Sequence, residues 1–295
     1  AIDETPKVVN TKGGPNDWLP LAYVCVSRYA ARQSERATAI VQIAKLLLER
    51  GADPNTSYID RQWPDNPLPV LYGATGVNNN PDLARVLLDA GAKPDDGESM
   101  YHATEHPDLE CLRLLLDRGG PPASKNLLHH MLDREDPEGV RLLLSRGAVP
   151  NQVNGAGGTA LHWAVWRGRS TEIISMLLDA GADIDAERGD GRTAYALAFQ
   201  SGQKETCDLL ASRGADTKVP IIDYFVELCV QATPEDIRAF LSGSGGPIES
   251  RMDGLYSVDE IRRVVESSHT SPAIARVLPD LASSHRTEGV RGLLA

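Results

Sequence analysis

The sequence is poor in aromatic side chains: three Phe, four Trp and eight Tyr, 5% of 295 residues. With so few large rings, Leu and Ala must fill most of whatever core the 41% hydrophobic residues build, and small repeated packing units are the first expectation. No run of about eighteen apolar residues occurs, which excludes a conventional membrane-spanning helix. The four cysteines, Cys25, Cys111, Cys207 and Cys229, form no CxxC pair and lie far apart, so neither a disulfide framework nor a zinc ribbon is indicated. Such spacing fits a reducing, cytoplasmic setting. Ala1 opens the chain where a methionine would and no leader pattern follows, which leaves room for a leader already removed. Basic charge is also short: 30 Lys and Arg against 41 Asp and Glu give −11. That balance argues against nucleic acid or anionic lipid as a partner and favours a basic one.

What the sequence has is a repeat. KLLLERGAD (45–53), RVLLDAGAK (85–93), RLLLDRGGP (113–121), RLLLSRGAV (141–149), SMLLDAGAD (175–183) and CDLLASRGAD (207–216) share one pattern, with glycines at 51, 91, 119, 147, 181 and 214. The spacings are 40, 28, 28, 34 and 33, a period near 33 with one long insertion and two shortened units. Each segment reads as the end of a helix, with apolar side chains on one face and a glycine at the left-handed stop. Upstream, Thr159 and Thr193 stand as N-caps before the Ala-rich stretches ALHWAVW and AYALAFQ. Two short antiparallel helices per unit follow from this alternation.

These motifs resemble those of the ankyrin-repeat family, whose pattern TPLHxA, Gly, LLLxxGADxN is met most fully by Thr159-Ala160-Leu161-His162 with Gly168, Leu177, Leu178, Gly181 and Asp183. Leu128-His129 and Tyr101-His102 keep the Leu-His position or a variant of it, Val70-Leu71-Tyr72 replaces the His, and Tyr195-Ala196 drops it. The resemblance implies an all-α, ankyrin-repeat solenoid of stacked helix-turn-helix units with short hairpin loops over 16–217. Residues 1–15 form an N-terminal extension, and an early unit starts at Leu19-Pro20-Leu21 with its first helix running to about Ala37. Residues 218–295 read as degenerate repeats or a helical cap. Thr233 and Pro234 start a helix there, GSGGP (243–247) breaks the chain, Ser257 and Glu260 form a capping box, SPAIARVLPDLASS (271–284) is another apolar helix, and EGVRGLL (288–294) echoes EGVRLLL (138–144).

A solenoid of this kind implies a non-catalytic scaffold that binds a protein or peptide on its concave face and hairpin loops. By the family pattern, the contact positions are Val77, Asp133, Arg134, Trp166, Arg167, Gln200 and Ser201. Trp166-Arg167 stands out, because Trp and Arg dominate binding hot spots; the competing assignment buries Trp166 under a neighbouring helix. The insertion PNTSYIDRQWPDNPLP (54–69) adds Tyr58, Arg61 and Trp63 as a long recognition loop, or else packs its own rings on the repeat edge. The alternative is an unusual enzyme whose row of Tyr72, Tyr101, His102, His129, His130, His162 and Trp163 lines a pocket, with His102, His129 or His162 as acid or base. His102 and His106, four apart, could share a helix face toward a metal, yet no third ligand is identifiable and HExxH is absent. Cys111 and Cys207 fall at apolar positions and read as buried thiols rather than nucleophiles. The acids Asp133, Glu135 and Asp136 read as a solvated loop. No cofactor, metal site or phosphate loop is indicated. His269 and His285 carry no assignment, and oligomeric state is not encoded in any pattern found.

Overall fold

The computed structural model describes residues 6–32, 34–155, 157–229 and 232–268. The expected helix at 271–284, the echo at 288–294 and the histidines His269 and His285 lie outside the described residues. Helix pairs follow the repeat: α1 (Pro20–Val26) and α2 (Ala37–Glu49); α3 (Val70–Tyr72), which widens into a π-type turn over Gly73–Val77, and α4 (Pro81–Asp89); α5 (Ser99–Ala103) and α6 (Glu110–Asp117); α7 (Leu127–Met131) and α8 (Pro137–Ser145); α9 (Ala160–Trp166) and α10 (Thr171–Asp179); α11 (Ala194–Gln200) and α12 (Lys204–Ser212). A further pair, α13 (Ile221–Cys229) and α14 (Pro234–Ser242), is followed by α15 (Val258–Ser268).

Two expectations need correction. The first helix of the early unit does not reach Ala37: it stops at Val26, where Ser27 turns extended, and a short 3-10 turn (Arg28–Ala30) leads toward α2. The long insertion is not an irregular loop. It folds as a β-hairpin, β1 (Ser57–Asp60) antiparallel to β2 (Trp63–Pro69), with Tyr58 opposite Leu68 and a register shift before Asp60 opposite Trp63. Its prolines 64, 67 and 69 all lie on β2, which therefore has three fewer amide donors for pairing.

The repeated glycines stop the second helix of their units. At Gly51, φ is +90°, its N–H donates to the Leu48 carbonyl (2.9 Å), and the Ala52 N–H reaches back to Leu47 (3.0 Å). Only a residue without Cβ adopts that conformation at no steric cost. A side-chain ladder accompanies these stops. Asn10 Nδ2 donates to the Gly51 carbonyl (2.9 Å), Asn55 Nδ2 to Gly91 (3.1 Å) and Asn151 Nδ2 to Gly181 (2.9 Å). Each asparagine thus satisfies a carbonyl that its neighbour's helix leaves orphaned. Asn10 places the end of the N-terminal segment on the same ladder as the repeats.

The chain divides into two compact units, residues 1–155 with 172–182, and residues 156–171 with 183 onward. In the first, Leu21, Leu71, Leu83, Leu87, Leu112, Leu115 and Leu143 are fully buried, an aliphatic core of the kind the composition requires. In the second, α9, α11, α13 and α15 pack in series, and the core becomes aromatic: Phe225 stacks on Phe240 at 5.5 Å beside Tyr224, Ile237 and Ile261. All three phenylalanines of the chain belong to this unit. Thr233 and Asp236 cap α14 reciprocally (3.2 and 2.9 Å), and Ser257 and Glu260 do the same for α15 (2.8 and 3.3 Å).

Candidate binding surface

Helix α9 reads ALHWAVW. Leu161, Ala164 and Val165 point into the core, so the i, i+3 pair Trp163 and Trp166 shares the opposite face. Their rings lie 4.8 Å apart at 44°, and Trp166 is 55% exposed. Arg167 caps the helix, its N–H donating to the Trp163 carbonyl (2.9 Å), and folds its guanidinium over both indoles, 5.1 Å from the Trp163 ring centre and 4.8 Å from that of Trp166. Gly168 (φ +63°) reverses the chain, and the Arg169 guanidinium donates to the Arg167 carbonyl from Nε (3.2 Å) and a terminal nitrogen (2.7 Å). Cation–π contacts of this exposed type contribute about 0.5–1 kcal/mol each. They hold the arginine in one place before any partner arrives, which lowers the ordering cost of contact.

The next unit supplies Gln200, half-buried at the end of α11, and Ser201, exposed at its cap with the N–H on Leu197 (3.1 Å). Gln203 Nε2 donates to the Val165 carbonyl (2.8 Å), tying this turn to the end of α9. Between the two turns lies a cleft of about 460 Å³ lined by residues 168–171 and 203–206.

The remaining predicted contacts belong to the first unit. Val77 is 40% exposed. Asp133 and Arg134 are half-buried, and the Arg134 guanidinium sits 3.4 Å from Asp136 Oδ2 and 3.5 Å from the His106 carbonyl, bracing a turn. In the hairpin, Trp63 is 58% exposed, while Arg61 donates to the Pro15 carbonyl (3.0 Å) and clamps the N-terminal segment. Tyr58 is a correction: at 3% exposed it lies beneath Trp18, rings 4.9 Å apart, because strand alternation turns it and Leu68 inward and Ile59 outward. It belongs to the core and offers nothing to a partner.

The described histidines are buried or engaged within the fold. His162 closes a capping box with Thr159, whose N–H (3.2 Å) and hydroxyl (2.8 Å) meet Nδ1, while Nε2 faces the Arg192 carbonyl (3.1 Å). A carbonyl accepts only, so Nε2 carries the proton and both ring nitrogens are taken. His129 is buried. Tyr72, Tyr101, His102 and His130 do come together, Tyr101 stacking on His130 at 3.8 Å and Tyr72 lying 4.7 Å from His102, with Glu98 and Glu105 at 3.4 and 3.1 Å from the His102 ring nitrogens. The proposed pairing of His102 with His106 on one helix face is not formed: α5 ends at Ala103, and His106 Nε2 instead donates to the Gly76 carbonyl (2.7 Å), a group left over where the π-type turn widens. Among the described residues, no three His, Cys, Asp or Glu side chains are placed to hold a metal ion. Burial pushes the thiols up, Cys111 and Cys229 to about 12 and half-buried Cys207 to about 11, away from thiolate chemistry at neutral pH.

Burial also holds His130 and His162 below the ordinary histidine value. The fold therefore favours the neutral rings, and the unfolded chain takes up protons first as pH falls below about 6.5. This contribution to stability is complete above that pH and is lost on descent through the lowered native values. The melting temperature is expected to fall by about 2–4 °C between pH 7.5 and 5.5, and by less in the His130→Gln/His162→Gln variant. An equal fall in that variant would assign the pH dependence elsewhere.

Known proteins match this arrangement. The family model for ankyrin repeats, three copies, fits residues 128–220. The chain is 55% identical over 42 residues to human palmitoyltransferase ZDHHC17 (14% of this chain, 6% of that protein) and 31% identical over 86 residues to mouse protein phosphatase 1 regulatory subunit 12A (29% and 8%). It spans under a tenth of the length of these curated relatives. An ankyrin repeat domain from Acinetobacter baumannii superposes with a TM-score of 0.56 at 26% identity, covering 67% of this chain and 98% of that one; the human ASB11 ankyrin repeat domain does so with 0.55 at 23% identity, covering 70% and 88%. Residues 128–220 carry ankyrin repeats, and the chain has the ankyrin-repeat fold. Ankyrin repeats are in general protein-interaction modules, and no helix among the described residues is long and apolar enough to cross a membrane.

Proposed function

We propose that this chain is a non-catalytic module that binds a protein or peptide, with Trp166 and Arg167 at the centre of one contact surface and Gln200 and Ser201 beside them. The carrying observation is the exposed Trp166 indole held under the Arg167 guanidinium, 4.8 Å away. A lone exposed tryptophan needs no explanation, but one fixed by a neighbouring tryptophan and a stacked cation is a large, rigid, amphipathic anchor. Trp63 on the hairpin and Val77 are further exposed contact positions of the other unit, alongside Asp133 and Arg134. The engagement of both His162 nitrogens and the burial of His129 weigh against the reading of the histidine row as acid–base machinery.

The test is the affinity for a partner purified from native extract. Trp166→Ala/Arg167→Ala is expected to weaken binding at least tenfold, about 1.4 kcal/mol or more. A change within twofold would remove this surface from the interface.

A further inference from the structure

Asn80, Asp108, Asp136, Ser170 and Gln203 each stand eleven residues before the stop glycines 91, 119, 147, 181 and 214, at or just before the start of a second helix. Three of them accept from an amide at the start of their own helix. Asn80 Oδ1 takes the Leu83 N–H (3.0 Å), Asp108 Oδ1 that of Glu110 (2.9 Å) and Asp136 Oδ1 that of Gly139 (2.9 Å). Gln203 occupies the N-cap of α12 and makes no such bond. Its longer side chain crosses to the preceding unit, where Nε2 donates to the Val165 carbonyl (2.8 Å). Glutamine at this position thus leaves a local bond unmade and forms a tertiary one. The first compact unit uses related ties between its own turns: Asn80 Nδ2 donates to the Ala30 carbonyl (2.7 Å) and His106 Nε2 to that of Gly76 (2.7 Å).

We infer that Gln203 is a positioning residue for the contact surface: its amide fixes the end of α9 and so holds the Trp166 indole in register with Gln200 and Ser201. The inference rests on the contact surface proposed above and adds the residue that sets its geometry. The physical link is short. The Val165 carbonyl and the Trp166 N–H belong to one planar peptide unit, so a bond to that carbonyl fixes the plane from which the Trp166 Cα, and with it the indole, projects. Val165 lies in the last turn of α9, where carbonyls lack helical partners. The Gly168 N–H also donates to it (2.9 Å), but that donor comes from the same turn and moves with it. Gln203 comes from the next unit. Its own N–H on the Ala198 carbonyl (2.9 Å) and its carbonyl on the Cys207 N–H (2.9 Å) anchor it between α11 and α12. The turn carrying Trp166 is thereby tied to the turn carrying Gln200 and Ser201. Val165, Trp166 and residues 200–203 all belong to one compact unit.

The experiment compares Gln203→Ser with the parent in the full chain. Serine caps a helix start well but is too short to reach Val165, so the start of α12 gains a bond while the tie is lost. The readout is the four indole N–H signals in ¹H–¹⁵N spectra. Those of Trp163 and Trp166 are expected to shift and broaden and those of Trp18 and Trp63 to stay, at a melting temperature within about 2 °C of the parent's. Gln203→Glu keeps the length and has no donor at neutral pH; it is expected to move the same two signals, and it decides the matter if the serine variant unfolds. Affinity for the partner purified from native extract is expected to fall about fivefold in Gln203→Ser, and to fall no further when Trp166→Ala is already present, as for two residues acting through one contact. The inference is overturned if neither variant moves the Trp163 and Trp166 signals, or if the losses from Gln203→Ser and Trp166→Ala add in full. If Trp166→Ala itself leaves affinity unchanged, the contact surface fails and the inference with it. If Trp166→Ala weakens binding and Gln203→Ser does not, the surface stands and the positioning role falls.

Discussion

Asp223→Ala is expected to cost the second unit about 3–5 kcal/mol, the largest loss among the substitutions considered. Asp223 is 2% exposed on α13, and its carboxylate accepts two hydrogen bonds from Arg192, Nε to Oδ2 and a terminal nitrogen to Oδ1, both 2.9 Å. Removing the carboxylate strands a guanidinium that is itself largely buried. Asp190 Oδ2, 3.1 Å from another Arg192 nitrogen, compensates only partly from the surface, so the lower half of that range is the central expectation. The pair also fixes the backbone of Arg192, whose carbonyl accepts from His162, so one ion pair joins α9, the turn before α11 and α13. Denaturant unfolding followed by far-UV circular dichroism measures the loss. The Arg192→Leu/Asp223→Leu double variant, which leaves no orphan charge, should be less damaged than Asp223→Ala. A single variant within about 1 kcal/mol of the parent would show that water already reaches this pair.

That bond also marks the limit of what the sequence discloses. The helix ends were legible because the units write one stop, Leu-Leu followed by Gly-Ala in five and Gly-Gly in the third, and the stop depends on local backbone chemistry alone. Thr233 and Ser257 were legible for the same reason, each cap being complete within four residues. Arg192 and Asp223 lie 31 residues apart, and nothing in IIDYFVELC separates a buried acid from an ordinary acid in a helix's first turn. The four prolines in residues 54–69 look like a loop and leave Tyr58 open between a partner contact and packing on the repeat edge; the two short strands that turn it inward need each other to exist at all. His106 likewise gains its role only from the π-type turn over Gly73–Val77, a widening with no sequence mark.

The tryptophan pair of α9 was half legible. Helical spacing puts Trp163 and Trp166 on the face opposite Leu161, Ala164 and Val165, but it leaves open whether a neighbouring helix covers Trp166, and only the structure shows its indole exposed. The placement of Arg167 does not follow from the pattern either, since a flexible side chain after a helix end has many rotamers and only the double indole platform selects one.

Gly73→Ala is expected to destabilise the first unit by about 2 kcal/mol, although intrinsic propensity points the other way. Gly73 has helical dihedrals (φ −58°), where alanine is ordinarily the better residue by up to about 1 kcal/mol. Here an added Cβ would lie 2.8 Å from the Cys25 carbonyl oxygen, 3.0 Å from its carbon and 3.2 Å from Val26 Cγ2. Two of these three atoms are backbone and cannot swing aside, so α1 must shift, at a typical overpacking cost of 1–3 kcal/mol or somewhat more. The same shift strains Asn78, whose Nδ2 donates to both the Cys25 carbonyl (2.8 Å) and the Gly73 carbonyl (2.9 Å) and stitches the end of α1 to the π-type turn. Sterics and the lost bifurcated bond together exceed the propensity gain. Thermal and denaturant unfolding of Gly73→Ala beside Asn78→Ala would separate the two contributions. An alanine at 73 that left stability unchanged or raised it would mean that α1 is not seated against this turn as closely as the geometry requires.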